Sequence, residues 1–370
     1  MTTDPTTVDP DLRKVLRDVL DGDLHDRLGQ ATTGVTLDVA LWDQLSELGF
    51  TALTTPEEHG GSGAGWLEAA ALLGESAAAA RHLPFAESDL LAQWLLREIG
   101  CPPDDPATAR TVAIVEPSGT ARAVPWLGQV PVVVAARRQD DTLAVAELTP
   151  DEVAACATIT PVPTHSGQPR ADLTFTADLP EATVLDAATA AGVLDQLALR
   201  GALARAVQGV GALDKAVDLC VEHTSVRVQF GRPLTKFQAV QQLVADAAAE
   251  ATLARAAVDA AVLDAAATGL TGPSSATKVA AARSCVGHAT SVVVRNAHQA
   301  HGAIGTTQEH PLQLFTLPAL DWRGEFGTTR DWDRFLGETV RSHPNALWNV
   351  VVGEPASDAN PAVPGVGGRR

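Results

Sequence analysis

The chain has 370 residues, a net charge of −18 and a pI near 4.9, with 45 % hydrophobic and 19 % charged residues. That length holds two or three modules with a sizeable core, and the composition is that of a globular protein in water. So acidic a surface repels a duplex or an anionic membrane, which argues against nucleic-acid and membrane partners, and a phosphorylated ligand would need locally gathered arginines, since lysine is confined to Lys14, Lys215, Lys236 and Lys278.

From Asp11 to about Gly100 the pattern predicts helix. Leu41, Leu45 and Leu48 recur on one face and Gly49 suits the stop, a Gly-rich loop follows at Pro56–Gly63, and helical periodicity resumes over Trp66–Ala80 and Pro84–Ile99. The run Cys101-Pro102-Pro103-Asp104-Asp105-Pro106 breaks the helix and marks a boundary. Short β-branched runs at Thr111–Val115, Val130–Ala135, Leu143–Leu148 and Ala171–Phe175 then predict a small sheet domain. Helix returns over Gly201–Glu222, Lys236–Thr268 and Ser274–His301, and a shorter stretch at Trp332–Val340 closes a four-helix bundle. The expected architecture is α+β: an N-terminal helical domain (residues 1–105), a middle β domain (106–188), a C-terminal bundle (189–352) and a Pro- and Gly-rich tail (353–370) expected to be disordered.

The cysteines, Cys101, Cys156, Cys220 and Cys285, have no metal-ligand spacing and read as reduced core fillers. His298, His301 and His310 have no acid or Cys arranged with them, so no metal is expected. Met1–Pro10 lacks the order of a signal peptide and no apolar run is long enough to span a bilayer, so the expected location is the cytoplasm.

The segment HTSVRVQFGRPLTKFQAVQ at His223–Gln241 resembles the signature of acyl-CoA dehydrogenases: Arg, two residues, Phe-Gly, Pro, then Gln-Ala opening a helix. Gln299-Ala300-His301-Gly302-Ala303-Ile304-Gly305 is similar to that family's Gln-x-x-Gly-x-x-Gly stretch, and PEEHGGSG at Pro56–Gly63 to its N-terminal loop. These stand in the family's order. The resemblance implies FAD, with Arg227, Gln229, Phe230, Phe237, Gln238, Val240, Gln299, Gly302 and Ala303 reaching a flavin held mainly by a neighbouring subunit. The residue types suit that role: Arg and backbone N–H groups for pyrophosphate, Gln for polar edges, Gly and Ala for close approach. Read without the resemblance, Phe230, Phe237 and Val240 could equally be core residues, Arg227 a helix-end ion pair, and Gln299 with Gly302 a helix stop.

The resemblance further implies α,β-desaturation of an acyl-CoA, proton abstraction by a Glu with hydride transfer to the flavin, and an electron-transfer flavoprotein as electron acceptor. Two family positions supply that Glu. The first falls on Leu199-Arg200-Gly201-Ala202-Leu203, which holds no carboxylate. The second falls on Trp322-Arg323-Gly324-Glu325-Phe326-Gly327-Thr328, where Phe326 occupies the Glu position and Glu325 stands one residue early. Glu325 is thus the local candidate for the base, the other source being a partner's Glu. Val115–Thr120 keeps only a fragment of the family's flavin loop. The chain resembles degenerate actinobacterial members, some of which form heterotetramers with a sister subunit and oxidise bulky ring-bearing acyl-CoAs. The readings open at this point are a catalytic homo- or heterotetramer subunit, a non-catalytic partner completing a sister's flavin site, and a CoA-free flavin oxidase of the same fold.

Overall fold

Asp9 caps α1 (Pro10–Leu20) by accepting the Asp11 N–H at 2.8 Å, and Pro10 takes the first turn, where no donor is lost. The structure, a computed structural model, describes residues 7–139, 142–341, 348 and 362–365. After the single turn α2 (Gln30–Thr33), Asp38 caps α3 (Val39–Glu47), which buries Leu41, Trp42 and Leu45. Leu48, expected on that stripe, is exposed, because it is the cap residue from which Gly49, at φ +78°, turns the chain away. α4 (Trp66–Ala78) follows the Gly-rich loop. The stretch expected as one regular helix over Pro84–Ile99 is instead a wide π-helical segment over Ala86–Gln93 that runs into α5 (Trp94–Glu98). The widened turn is buried on every side and carries Glu87, Ser88, Asp89 and Gln93 inside.

The middle domain packs two small sheets. β1 (Arg110–Val115) pairs in parallel with β3 (Val132–Gln139), which pairs antiparallel with β4 (Thr142–Leu148) and through it with β7 (Thr183–Leu185). The second sheet orders β2 (Thr120–Pro125), β6 (Arg170–Phe175) and β5 (Ala157–Pro161), all antiparallel, with α6 (Pro150–Cys156) between β4 and β5. The apolar runs located β1, β3, β4 and β6. They missed β5, which is mostly exposed, β2, whose Thr-Ala-Arg-Ala carries no β-branched run, and the short β7.

α7 (Ala187–Val226) is a 40-residue helix that starts well before the expected Gly201, because Asp186 caps it through the Thr189 N–H at 2.9 Å. A tight hairpin, β8 (Val228–Gln229) and β9 (Arg232–Pro233), leads into α8 (Gln238–Thr268), α9 (Ser275–His301), α10 (Gln313–Trp322) and α11 (Thr329–Arg341). On α8 the buried Ala247, Ala251, Ala254, Val258, Ala261 and Ala265 fall at helical spacing and face α9, so small side chains let the two axes pack closely.

One hydrophobic cluster runs from Leu16, Trp42 and Leu72 through Leu203 and Val207 to Val286, Phe315 and Trp332, so the N-terminal helices and the bundle share a core. The two sheets enclose their own core around Val115, Leu148 and Leu173. A third cluster, with Leu95, Val134, Val145 and Leu197, fastens the outer face of the first sheet to α5 and α7. Among the described residues no helix is long and apolar enough to cross a membrane. Most of the C-terminal tail lies outside the described residues. Its described part places Val363 on the main core and Pro364 and Gly365 against Phe326 and Gly327.

Candidate functional site

The residues expected to meet a flavin gather at one end of the bundle. α7 ends at Val226, and the hairpin that follows turns on Phe230 (φ +53°) and Gly231 (φ +80°). Positive φ at both central residues matches the right-handed twist of a two-residue hairpin, which suits Gly but strains Phe. A strained aromatic costs on the order of 1–2 kcal/mol, and burial does little to offset it, since Phe230 is 91 % exposed. Phe237 meets Phe230 edge-on at 6.1 Å and carries the Arg232 guanidinium 4.2 Å from its centroid. The side chains of Arg227, Gln229 and Gln238 are exposed and make no hydrogen bond or ion pair with a described residue, and Val240 is half-buried one turn into α8.

The second expected segment arrives at the same end. His223, one turn before Arg227, stacks on His301 at 4.5 Å, and Gln299 and Ala303 beside it are exposed, the Gln299 side chain making no hydrogen bond with a described residue. Gly302 stops α9 at φ +66°, ψ −145°, a backbone conformation open to Gly almost alone, with nothing within 4 Å of the position a Cβ would take. The donor set fits FAD approaching from outside the chain. Arg227 and the unsatisfied N–H groups opening α8 suit a pyrophosphate, Phe230 and Phe237 offer apolar faces, and the Gly302–Ala303 turn leaves backbone accessible.

The cleft between β domain and bundle has another character. Here α7 passes Gly201 under the loop Trp322–Thr328, and a cavity of about 540 Å³ is lined by Ile114, Arg122, Arg138, Arg170 and Phe326. Glu325 is not free in it. Its Oε1 accepts from Arg170 Nη2 and its Oε2 from Arg205 Nε at 2.8 Å, with the side chain 10 % exposed. Arg205 in turn donates to Glu87 from the π-helical segment and to Gln208 at 2.6 Å. The network balances two guanidiniums against two carboxylates, and the carboxylates hold Arg205 firmly charged, above its usual range, against the cost of burial. Arg283 fixes the loop itself. Its Nη2 donates to the carbonyls of Trp322, Arg323, Glu325 and Gly327 at 2.7–3.2 Å, and burial lowers its pKa to about 10.

Phe326, at φ +50°, lays its ring on Gly201 so closely that a Cβ there would lie 2.3 Å from Cε1. Phe326, at the late family position for a catalytic Glu, is therefore packed on the run Leu199–Leu203 that spans the early one, so the two places are neighbours in space. The fragmentary flavin loop is only a tight turn, with the Gly119 N–H on the Glu116 carbonyl at 2.8 Å between β1 and β2. Reasoning from sequence missed Glu87, Arg170 and Arg205. Arg205 carried a readable signal, a charge four residues after Gly201 in a mostly apolar stretch of α7 whose other polar side chains over Leu197–Leu213 are Arg200 and Gln208.

The family model described as "Acyl-CoA dehydrogenase, C-terminal domain" matches residues 193–328, and "Acyl-CoA dehydrogenase, N-terminal domain" matches residues 8–101. The acyl-CoA dehydrogenase IpdE2 of Mycolicibacterium smegmatis is 34 % identical over 280 residues, 75 % of this chain and 80 % of that protein. The ChsE4-ChsE5 complex of Mycobacterium tuberculosis is similar in structure, with a TM-score of 0.80 at 20 % identity over 93 % of this chain and 99 % of that one. A glutaryl-CoA dehydrogenase from Mycobacterium smegmatis in complex with FADH2 matches with a TM-score of 0.76 at 14 % identity, over 92 % of this chain and 97 % of that one. With both helical domains matched and a curated relative spanned at this identity, the chain belongs to the acyl-CoA dehydrogenase family of FAD-dependent oxidoreductases.

Proposed function

We propose that this chain is one subunit of a heteromeric FAD-dependent acyl-CoA dehydrogenase, completing the flavin site of a sister chain and contributing no base of its own. The observation that carries this reading is the state of Glu325, whose two oxygens are each engaged by a guanidinium. A base for the α-proton of a thioester needs a carboxylate within reach of substrate. Both oxygens of Glu325 are instead committed to charge-assisted hydrogen bonds from Arg170 and Arg205, worth about 1.5–3 kcal/mol each. The late family position for the Glu is filled by Phe326, whose ring lies on Gly201, and the early run Leu199–Leu203 holds no carboxylate.

FAD, when bound, supplies the hydride acceptor of the desaturation. Toward it Arg227 would hold the pyrophosphate, Gln229, Gln238 and Gln299 would hydrogen-bond polar edges, Phe230, Phe237 and Val240 would pack on rings, and Gly302 with Ala303 would admit backbone contact. A hairpin that keeps an exposed, strained Phe beside unpartnered donors makes sense as the half of a site that another chain fills. The heteromeric name of one structural relative, a ChsE4-ChsE5 complex, supports the same assembly.

Co-expression with a homologous sister chain tests the reading. The complex should carry flavin and oxidise an acyl-CoA, with Glu325→Gln in this chain leaving the rate within a few-fold and the sister's Glu→Gln abolishing it. Full activity from this chain purified alone, lost on Glu325→Gln, would overturn it.

A further inference from the structure

The ends of α7 and α9 and the loop before α10 bring His223, His301 and His310 together, with one ring nitrogen from each within 4.8 Å of the other two. His223 stacks on His301, and His310 meets His301 at an interplanar angle of 67° with centroids 4.6 Å apart. Ring packing leaves one feature unexplained. His301 is 6 % exposed, and its Nδ1–H donates to the Ala297 carbonyl at 2.8 Å. That bond makes Nε2 the lone-pair nitrogen, and this buried Nε2 has no hydrogen-bond partner among the described residues. An imidazole tethered through one nitrogen to a backbone carbonyl, with the other nitrogen bare among histidines, has the arrangement of a metal ligand.

We propose that His223, His301 and His310 bind a divalent transition-metal ion, Zn²⁺ best matching the set, with the fourth position left to solvent. Three imidazoles without carboxylate favour such an ion over Mg²⁺ or Ca²⁺. Burial holds all three histidines below their ordinary pKa, with neighbouring imidazoles adding to it at His223 and at His310, which is pushed down to about 4, so at neutral pH each is in the unprotonated form that coordinates. Cys220 is not a ligand: its Sγ lies 3.9 Å from Nδ1 of His301, on the committed side of the ring, and burial pushes its thiol up to about 12. Tetrahedral bonds of about 2.0–2.1 Å set nitrogens about 3.3 Å apart, so the rings close by small side-chain rotations. His310 gives up the Leu312 N–H that its Nδ1 accepts at 3.1 Å. His223 and His310 are half-buried, which leaves the ion a path from solvent. The ion would tie the helix turn preceding Arg227 to the turn at Gly302, whether or not flavin is present.

Equilibrium dialysis of Zn²⁺ against the chelator-stripped full chain tests this, with Co²⁺ visible absorption as a geometry readout. The expected result is one ion per chain and a tetrahedral Co²⁺ spectrum. His301→Ala and the half-exposed His223→Gln should each weaken binding roughly tenfold or more, with circular dichroism of His223→Gln unchanged. His288→Gln, which touches only the surface pair with Asp333, should bind like the parent. Absence of a stoichiometric ion, or parent-like binding by both His301→Ala and His223→Gln, would overturn the proposal.

Discussion

Replacing Glu325 by Gln separates structural from catalytic work at one residue, because size is kept and only the charge is lost. In the folded chain the change leaves Arg170 without its carboxylate and Arg205 with Glu87 alone, in a site about nine-tenths buried. Removing one partner of a buried ion pair costs about 3–5 kcal/mol, and the retained amide oxygen places this change near the lower end. Unfolding entropy of about 2.1 cal/mol/K per residue gives about 0.8 kcal/mol/K for 370 residues unfolding with a shared core, so about 3 kcal/mol lowers Tm by about 4 °C. Differential scanning calorimetry of the parent, Glu325→Gln, Arg205→Met and the double variant would give the coupling, which should be unfavourable for each single change and partly recovered in the double. Turnover of the assembled complex, measured on the same preparations, should stay within a few-fold. A Tm unchanged by Glu325→Gln together with a rate lowered roughly 10²-fold or more would refute the reasoning, since that is the mark of a general base with little structural load.

Arg227→Ala and Gln299→Ala should release FAD from the assembled protein while helical circular dichroism is kept; loss of a charge-assisted contact of about 2 kcal/mol weakens binding roughly thirtyfold, read by flavin fluorescence on dilution. Gly201→Ala should destabilise by about 1–3 kcal/mol because the added methyl meets the Phe326 ring, and a melting curve unchanged from the parent would remove Phe326 from that position. His82 is pushed down to about 4 by burial and by the nearby Arg27, so the unfolded chain takes up its proton first. Its contribution to stability is complete above the ordinary value of about 6.5 and falls away as pH drops from there toward 4. His82→Gln should therefore flatten the decline of Tm between neutral pH and pH 5 (about 1.5 units below the ordinary His value).

Local chemistry wrote much of the fold into the chain before any contact formed. The apolar spacing of Trp66–Ala78 and of the long Ala-rich α8 and α9 announces helices, the Pro cluster at Cys101–Pro106 a boundary, and Phe230-Gly231 with Arg232-Pro233 a turn between helices. These depend on periodicity and backbone preference, which neighbours in sequence carry. The Arg227 and Gln299 segments were readable for a related reason: an exposed edge keeps its side-chain types in a contiguous motif. The π-helical turn at Ala86–Gln93 and the strands β2, β5 and β7 were not, because pairing partners rather than their own residues decide them. The state of Glu325 could only come from tertiary structure. Glu87, Arg170, Arg205 and Glu325 belong to four separate elements, and a carboxylate on a loop is a free acid or a locked counter-ion depending on which guanidiniums the fold brings beside it. The same holds for the histidines. His301 and His310 stand near each other in sequence, but only the meeting of α7 with α9 adds His223, and only the Ala297 carbonyl decides which nitrogen of His301 keeps its lone pair.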